Sequence, residues 1–474
     1  MHGRMSSSGQ VPLCVDMDGT LVLTDLGVES VLALIRRNPL YLLLLPWWLR
    51  RGLAAFKREV ARRVQLDVTR LPYDRRLLAW LRTQQGRPLL LCTASDAGLA
   101  NAVAAHLGGF AAVVASDGHS NLAGSRKAAA LVARHGALGY DYAGNARADL
   151  AVWAQARRAI VVNAPPRVLR AAQAQGRVER VFAREGRPWI ELLRALRPHQ
   201  WAKNLLVFVA PLAAHRVEAA VVAHALLAGA AFCLCASAAY VLNDLLDLDA
   251  DRRHPRKCLR PFAAGRLSLL AGLAVVPALT LAAFACAALL PARFLPVLLA
   301  YATLTLAYSL WLKRLPALDV LALAALYTLR IVAGGAAIPV AVSGWLLAFA
   351  LCLFLGLALL KREIEFVRVA AGAGLAGRGY RPQHRRLLRG CGIAAGIAAV
   401  GVLALYVDST KSAALYAQPQ HLWWLVGLLA LWLARLWRLA ARGRMHDDPL
   451  VFALTDWPSL LAFGLAAAIV LAAL

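Results

Sequence analysis

The rhythm of apolar positions changes near residue 190. From Val11, short apolar runs alternate with stretches in which apolar residues return every three or four positions. The runs predict strands at 11–15, 88–92, 110–115, 140–143, 158–163 and 178–182, and the stretches predict helices at 97–107, 125–135, 147–156 and 166–175. Such alternation predicts a parallel sheet with covering helices. The interval 24–86 is too long for an ordinary crossover and predicts a helical cap. Within it, residues 40–49 read LYLLLLPWWL between Arg36, Arg37 and Arg50, Arg51. Ten residues cannot cross a bilayer, so this is a core helix or an interfacial one. Trp47 and Trp48, set between arginines, favour the membrane surface.

After Arg197 the apolar runs reach bilayer length. Nine can be counted, at 204–215, 219–242, 268–290, 294–312, 318–338, 343–360, 387–407, 421–437 and 457–474. The expected organisation is a soluble α/β domain over 1–190 with its cap, then an all-α, nine-helix transmembrane bundle over 195–474. No internal repeat is evident.

Composition supports this division: 60% of the 474 residues are hydrophobic and mean hydropathy is +0.58. Disordered, collagen-like and disulfide-scaffold classes are excluded. The net charge of +27 would suit nucleic acid or an anionic membrane, and its placement decides between them. With the first domain in the cytosol, the inward loops carry twenty basic residues, among them Arg252, Arg253, Arg256, Lys257, Arg260, Arg266, Lys313 and Arg314. The outward loops carry three, Arg216, Arg293 and Lys411. That asymmetry follows the positive-inside rule and predicts a multi-pass inner (plasma) membrane protein with membrane lipids, not nucleic acid, as its surroundings. Residues 1–10 are polar and lack a signal-type apolar stretch, consistent with a cytosolic first domain. The eight cysteines show no zinc spacing, and Cys233 and Cys235 read as small core side chains, as a reducing compartment allows. The pattern leaves a homo-oligomer open.

The first chemical signal is Val15-Asp16-Met17-Asp18-Gly19-Thr20, at the carboxyl end of the first strand, where open α/β sheets place ligands. Two aspartates two apart suit covalent phosphoryl transfer, one attacking phosphorus and the other handling the leaving-group proton. DxDGT resembles the haloacid-dehalogenase superfamily of phosphatases, with a Rossmann-like fold, and further motifs follow in that family's order. Thr93 closes the second strand. Ser116-Asp117-Gly118 and Gly124 lead to Lys127, and Gly144-Asn145-Ala146-Arg147-Ala148-Asp149 matches the acidic metal motif, with Asn145 where aspartate is common. The resemblance implies Asp16 as nucleophile, Asp18 as acid/base, Asp16, Asp18 and Asp149 around Mg²⁺, and Thr93 and Lys127 on the phosphoryl group. Asp117 and His119 read as turn residues.

The second signal is Tyr240-Val241-Leu242-Asn243-Asp244-Leu245-Leu246-Asp247-Leu248-Asp249-Ala250-Asp251. Aspartates just past an apolar helix would be costly against lipid, so they should line a polar cavity or its mouth. On one helix, Asp244, Asp247 and Asp251 share a face and would repel unless a divalent cation such as Mg²⁺ joins them. Asp249 points elsewhere. NDxxDxxxD resembles the UbiA-type superfamily of membrane transferases, whose first helix and loop are similar to the segment from Arg197 to Asn204 and to Arg260-Pro261 and Gly265. Members that join an allylic diphosphate to an aromatic acceptor carry a second aspartate-rich motif after the sixth span. Here that place holds Leu360-Lys361-Arg362-Glu363-Ile364-Glu365. Arg330, in an apolar run, should face a cavity and an anion. One acidic motif facing cations resembles the decaprenyl-phosphate phosphoribosyltransferase branch. That resemblance implies Mg²⁺ on Asp244, Asp247 and Asp251 and two substrates, phosphoribosyl pyrophosphate and a polyprenyl phosphate. It also implies a phosphate-binding set of Lys203, Asn243, Lys257, Arg260, Tyr327, Arg330, Lys361 and Arg362. With the two halves fused, the first domain is expected to remove the sugar phosphate from the lipid product. The alternatives are an aromatic-acceptor prenyltransferase and a first domain that hydrolyses another substrate or none.

Overall fold

The computed structural model describes residues 10–84, 86–116, 121–338, 340–368, 378–445 and 448–474. Asp117 and His119 lie outside them. The chain divides into two units: Met1–Leu196 with Tyr240–Val276, and Arg197–Ala239 with Pro277–Leu474. The segment carrying the aspartate motif therefore groups with the α/β part rather than joining everything beyond residue 195.

The first unit is built on β1 (Leu13–Val15), β2 (Leu89–Asp96), β3 (Ala112–Ser116), β4 (Asp141–Gly144), β5 (Arg158–Val162) and β6 (Val178–Phe182). All pairings are parallel, in the order β3-β2-β1-β4-β5-β6. This is the doubly wound order whose ligand crevice lies where the winding reverses, beyond β1. Leu13 and Val15 pack into one core with Leu91 and Ile160, while Cys14 faces the other with Tyr142 and Trp153. The alternation is the two-residue period of a strand covered on both faces. β2 continues past Cys92 to Asp96, and the interval 147–156 is a tight turn, Arg147–Asp149, followed by a four-residue helix.

The insertion after β1 contains α1 (Leu26–Arg37), α2 (Leu45–Arg50), α3 (Leu53–Ala61) and α4 (Arg75–Thr83). Asp25 caps α1 through Val28 N at 2.9 Å. Segment 40–49 is not one helix: a 3₁₀ turn, Pro39–Leu43, precedes α2. Leu40, Leu43 and Trp47 are 68%, 77% and 58% exposed, while Trp48 is buried on Leu34 and Val60 with Tyr41 and Leu45 half-buried against them. The core-helix expectation fails for most of the segment. The covering helices are α5 (Ala97–Leu107), α6 (Ser125–His135), α7 (Leu150–Trp153), α8 (Pro166–Ala174) and α9 (Pro188–Leu196).

In the chain between α9 and the next long helix, Arg197 has φ +55° and Pro198–Phe208 winds as 3₁₀ turns ahead of the five-residue α10 (Val209–Ala213). The expected span at 204–215 is therefore absent. α11 (Ala219–Leu246) then runs into α12 (Leu248–Arg253). In the first unit, Val241, Leu245, Leu248, Phe262 and Leu267 from this region pack with Leu32 of α1 and Ala195 of α9. The buried pair Arg252–Glu29, Nη2 to Oε2 at 2.9 Å, fixes the same contact.

The remaining helices are α13 (Leu269–Ala288), α14 (Phe294–Leu310), α15 (Leu318–Ala337), α16 (Gly344–Arg368), α17 (His384–Val407), α18 (Thr410–Leu415), α19 (Trp423–Ala441), α20 (Pro449–Ala453) and α21 (Trp457–Ala473). Among the described residues six helical segments are long and apolar enough to cross a membrane: α11, α13, α15, α16, α17 and Pro419–Ala441. α14 and α21, at 17 residues, sit at the lower edge of span length. The chain is an integral membrane protein, and of the nine spans expected six meet the length and apolarity of a crossing helix among the described residues. Within the second unit Gly356 lets α16 approach α17, since a Cβ there would lie 3.4 Å from backbone atoms of Gly392 and Gly396.

Candidate functional site

Three clusters carry the chemistry, two in the first unit and one in the second. At the carboxyl end of β1, Asp16 Oδ1 accepts from Lys127 Nζ at 2.7 Å, and Lys127 also reaches Tyr142 Oη at 2.8 Å. Asp149 Oδ1 lies 3.9 Å from Lys127 and accepts from Tyr142, while its Oδ2 accepts from the Asn145 and Ala146 amides at 3.0 and 2.9 Å. Gly19, at φ +72°, is required here because a Cβ would stand 2.0 Å from Asn145 Nδ2. Burial pushes the Asp16 carboxyl up to about 7, against the pull of Lys127. Burial opposes the charge on Lys127, but Asp16 and Asp149 hold its pKa above the ordinary value.

Asp18 is engaged differently. Its Oδ1 accepts from Leu26 N at 2.8 Å, and its Oδ2 from Ser95 Oγ at 2.6 Å and Thr93 Oγ1 at 3.3 Å. Both oxygens accept hydrogen bonds from the protein. Burial raises its pKa, which suits proton donation. Asp16, Asp149 and Asn145 make an all-oxygen donor set of the kind Mg²⁺ takes, and a cation beside Asp16 would favour its ionised form. Lys57 of α3 was not singled out from sequence; its Nζ donates to Ala94 O at 2.6 Å and Asn121 Oδ1 at 3.1 Å, at the same cavity.

The aspartate motif does not keep the single helical face expected of it. α11 stops at Leu246 and Asp247 caps α12 with φ −100°, and the three carboxylates divide between two arginines. Asp244 and Asp251, both buried, share Arg260 Nη1 at 3.0 and 2.6 Å, while Asp247 pairs with Arg36 Nη2 of α1 at 2.8 Å. Among the described residues no three acidic, imidazole or thiol groups converge at metal-holding distance. The donor chemistry fits Mg²⁺, two carboxylates already sharing one cation. Burial pushes Asp251 up, against Arg260, and Lys257 on the exposed loop adds to that pull. Asn243 is half-buried in the last turn of α11, and Asp249 pairs with Arg253 on the surface.

The third cluster lies inside the second unit. Lys203 Nζ, 2.5 Å from Asp448 Oδ2, and Lys361 Nζ, 3.1 Å from the same oxygen, converge on one carboxylate. Burial would raise the pKa of Asp448, but Lys361 and Lys203 together hold it far below the carboxylate range. Arg330 is buried as expected, its Nε on Asn204 Oδ1 at 2.8 Å and its Nη2 on Tyr301 Oη at 2.9 Å. Lys203 and Arg330 both lie over the Tyr327 ring, at 5.6 and 5.7 Å. Gly334 makes this possible: a Cβ would come 1.9 Å from Val207 O, so only glycine lets the Pro198–Phe208 turns lie on α15.

Arg362 is not part of this wall. It is fully buried, its Nε 2.8 Å from Asp319 Oδ2, with Glu365 as a second partner, while Arg378 and Tyr308 complete the network around Asp319. Its charge is consumed in packing α16 against α15, and Glu363 is likewise taken by Arg385 at 2.8 Å. Sequence reasoning missed Asp448, which lies 245 residues from Lys203. The only local signal is its cap position, Oδ1 accepting from Leu450 N and Val451 N ahead of α20.

Long apolar helices together with an aspartate motif fit a membrane-embedded transferase. The sequence model of the UbiA prenyltransferase family matches residues 205–457, and the chain belongs to that family. It is 36% identical over 94% of its length to the uncharacterized protein y4nM of Sinorhizobium fredii, covering 88% of that protein. Similarity to the nodulation protein NoeC of Azorhizobium caulinodans is 37% over 60% of this chain and 93% of that protein. Similarity to the decaprenyl-phosphate phosphoribosyltransferase of Mycolicibacterium smegmatis is 40%, over 33% of this chain and 51% of that protein.

Proposed function

We propose that the chain transfers 5-phosphoribose from phosphoribosyl pyrophosphate to a polyprenyl phosphate, and that its first domain, residues 1–190, then hydrolyses the sugar phosphate. The observation that carries the transfer reading is the pair Lys203 and Lys361 on the single carboxylate of Asp448, with the buried Arg330 beside Lys203 over the Tyr327 ring. Such an excess suits phosphates on both reactants, and the 40% likeness to a phosphoribosyltransferase supports the same donor. Asp244 and Asp251 would hold Mg²⁺, with Asp247 as third carboxylate once released from Arg36; the ion supplies charge neutralisation for the departing pyrophosphate. Lys203, Lys361 and Arg330 would orient phosphates, and Lys257 and Arg260 would add phosphate-binding charge. A lipid phosphate oxygen attacks the anomeric carbon as its bond to pyrophosphate breaks. The chain provides positioning and charge rather than a nucleophile.

In the first domain, read as a haloacid-dehalogenase-type phosphatase over 1–190, Asp16 attacks phosphorus and the bond to the sugar oxygen breaks. Asp18 gives its proton to the leaving oxygen and then takes one from the water that hydrolyses the aspartyl phosphate. Lys127 and Thr93 bind the phosphoryl oxygens, and Mg²⁺ would sit on Asp16, Asp149 and Asn145. Fusion raises the effective concentration of one site for the other's product. Both sites face the cytosol at the inner membrane, with the exposed 40–49 ridge resting on the bilayer.

The test is incorporation of labelled ribose from phosphoribosyl pyrophosphate into lipid by the purified chain. Mg²⁺-dependent incorporation is expected. Incorporation of an allylic diphosphate into an aromatic acceptor, with none of the ribose, would overturn the reading.

A further inference from the structure

The first unit holds one cavity of about 1670 Å³, lined by Asp16, Asp18 and Lys127 and equally by Leu259, Leu269, Leu270 and Leu273. Pockets for small ligands measure about 300–1,000 Å³, so a sugar phosphate alone leaves much of this space unfilled. The surplus is apolar. Leu269, Leu270 and Leu273 fall in the first five residues of α13, Leu273 standing four and three positions after the other two and so on their side of the helix. α13 is itself long and apolar enough to cross the bilayer, and Leu270 and Leu273 are 57% and 39% exposed. Leu53 and Phe56 of α3 line the same cavity from the cap.

The loop that forms this wall is fixed against the phosphatase elements. Gly265 has φ +70°, and a Cβ there would stand 2.6 Å from Leu23 Cβ, so the loop lies hard against the turn after the Asp16–Thr20 motif. Arg252 on Glu29 and Arg266 on Glu191, at 3.4 Å, tie its two ends. Arg184 and Arg266 line the cavity as well, cations suited to an internal phosphodiester.

We propose that this cavity binds a lipid-linked phosphomonoester, with its terminal phosphate at Asp16 and its prenyl chain leaving over Leu269, Leu270 and Leu273 into the bilayer. The inference rests on the phosphatase reading and adds to it the residues that would select a lipid-linked substrate over a soluble one. A substrate that keeps its chain in the membrane needs an active site opening onto lipid, and an apolar wall at the start of a span provides that opening.

The experiment uses the full chain in nanodiscs. Phosphate release is followed from ribose 5-phosphate and from a ribose 5-phosphate joined through a phosphodiester to about two or about ten isoprene units, each isoprene adding buried CH₂ groups. We expect kcat/KM to rise at least about tenfold from the soluble to the long-chain substrate, the worth of roughly one buried leucine-sized group. We expect the lipid-to-soluble ratio to fall about tenfold in Leu270→Glu/Leu273→Glu, since a damaged fold would lower both rates and leave the ratio alone. Equal kcat/KM for soluble and lipid-linked substrates, or a ratio unmoved in the variant, overturns the proposal. No hydrolysis of any phosphomonoester above an Asp16→Asn control overturns the phosphatase reading itself, and this inference with it.

Discussion

Lys203→Met and Lys361→Met test the cation cluster directly, because methionine keeps most of the unbranched apolar stem and removes the ammonium with its charge and donors. Lys203 Nζ lies 2.5 Å and Lys361 Nζ 3.1 Å from Asp448 Oδ2 in a site where Lys203 is 7% exposed. A hydrogen bond to a charged group is worth about 1.5–3 kcal/mol, so each loss corresponds to roughly tenfold to a hundredfold in kcat/KM. If the lysines hold the donor before and during reaction alike, most of the loss enters KM. The two share one carboxylate, so the double variant should lose less than the product of the single losses. Asp448→Asn should act in the opposite sense, freeing two buried cations: KM for the donor falls while thermal stability falls with it. The assay is initial-rate transfer of labelled ribose in nanodiscs, with donor concentration varied. Single variants that keep both kcat/KM and KM within about twofold of wild type would refute the assignment.

Three other outcomes follow from the geometry. Asp319→Asn removes one of the two carboxylates that pair with the fully buried Arg362, leaving Glu365, and should destabilise the second unit by about 1.5–3 kcal/mol, read as a lower unfolding midpoint in detergent; an unchanged midpoint would place that pair outside the fold's support. Asp141 is buried at the end of β4; burial opposes its charge, but Arg157 and Arg87 hold its carboxyl below the ordinary range. A depressed folded pKa stabilises above the unfolded value of about 3.9 and is lost as pH falls through the folded one. Hydrogen-exchange protection of β4 and β5 should therefore drop below that value, and Asp141→Asn should flatten the profile. A photo-crosslinking residue at Leu43, 77% exposed, should form lipid adducts, while one at Leu138, 49% exposed, should not; equal labelling would remove the bilayer-docking role of segment 40–49.

The parallel sheet was legible because each strand is a short apolar run set between helical repeats, and all six runs became strands, with ends shifted by a few residues. The Asp16, Lys127 and Asp149 grouping was legible for the same reason: each residue sits at a strand end or helix start, which the doubly wound order brings together. Composition alone did not distinguish a span from an apolar turn at 204–215, where Pro198 and Pro211 accompany 3₁₀ winding. Helical spacing placed Asp247 with Asp244 and Asp251, but the helix ends one residue before it. Arg362 and Lys361 are adjacent in sequence and therefore point to different faces of α16, one to Asp319 and the other to Asp448. Beyond the cap position of Asp448, nothing local marks either partner, since both arrive by tertiary packing.

The most direct measurement is mass spectrometry of the lipid formed from phosphoribosyl pyrophosphate and a polyprenyl phosphate by the wild-type chain and by Asp16→Asn. Sequential chemistry gives polyprenyl phosphoribose from the first and the same lipid heavier by one phosphate from the second. Identical lipids from the two proteins, or a lipid carrying no pentose, would contradict it.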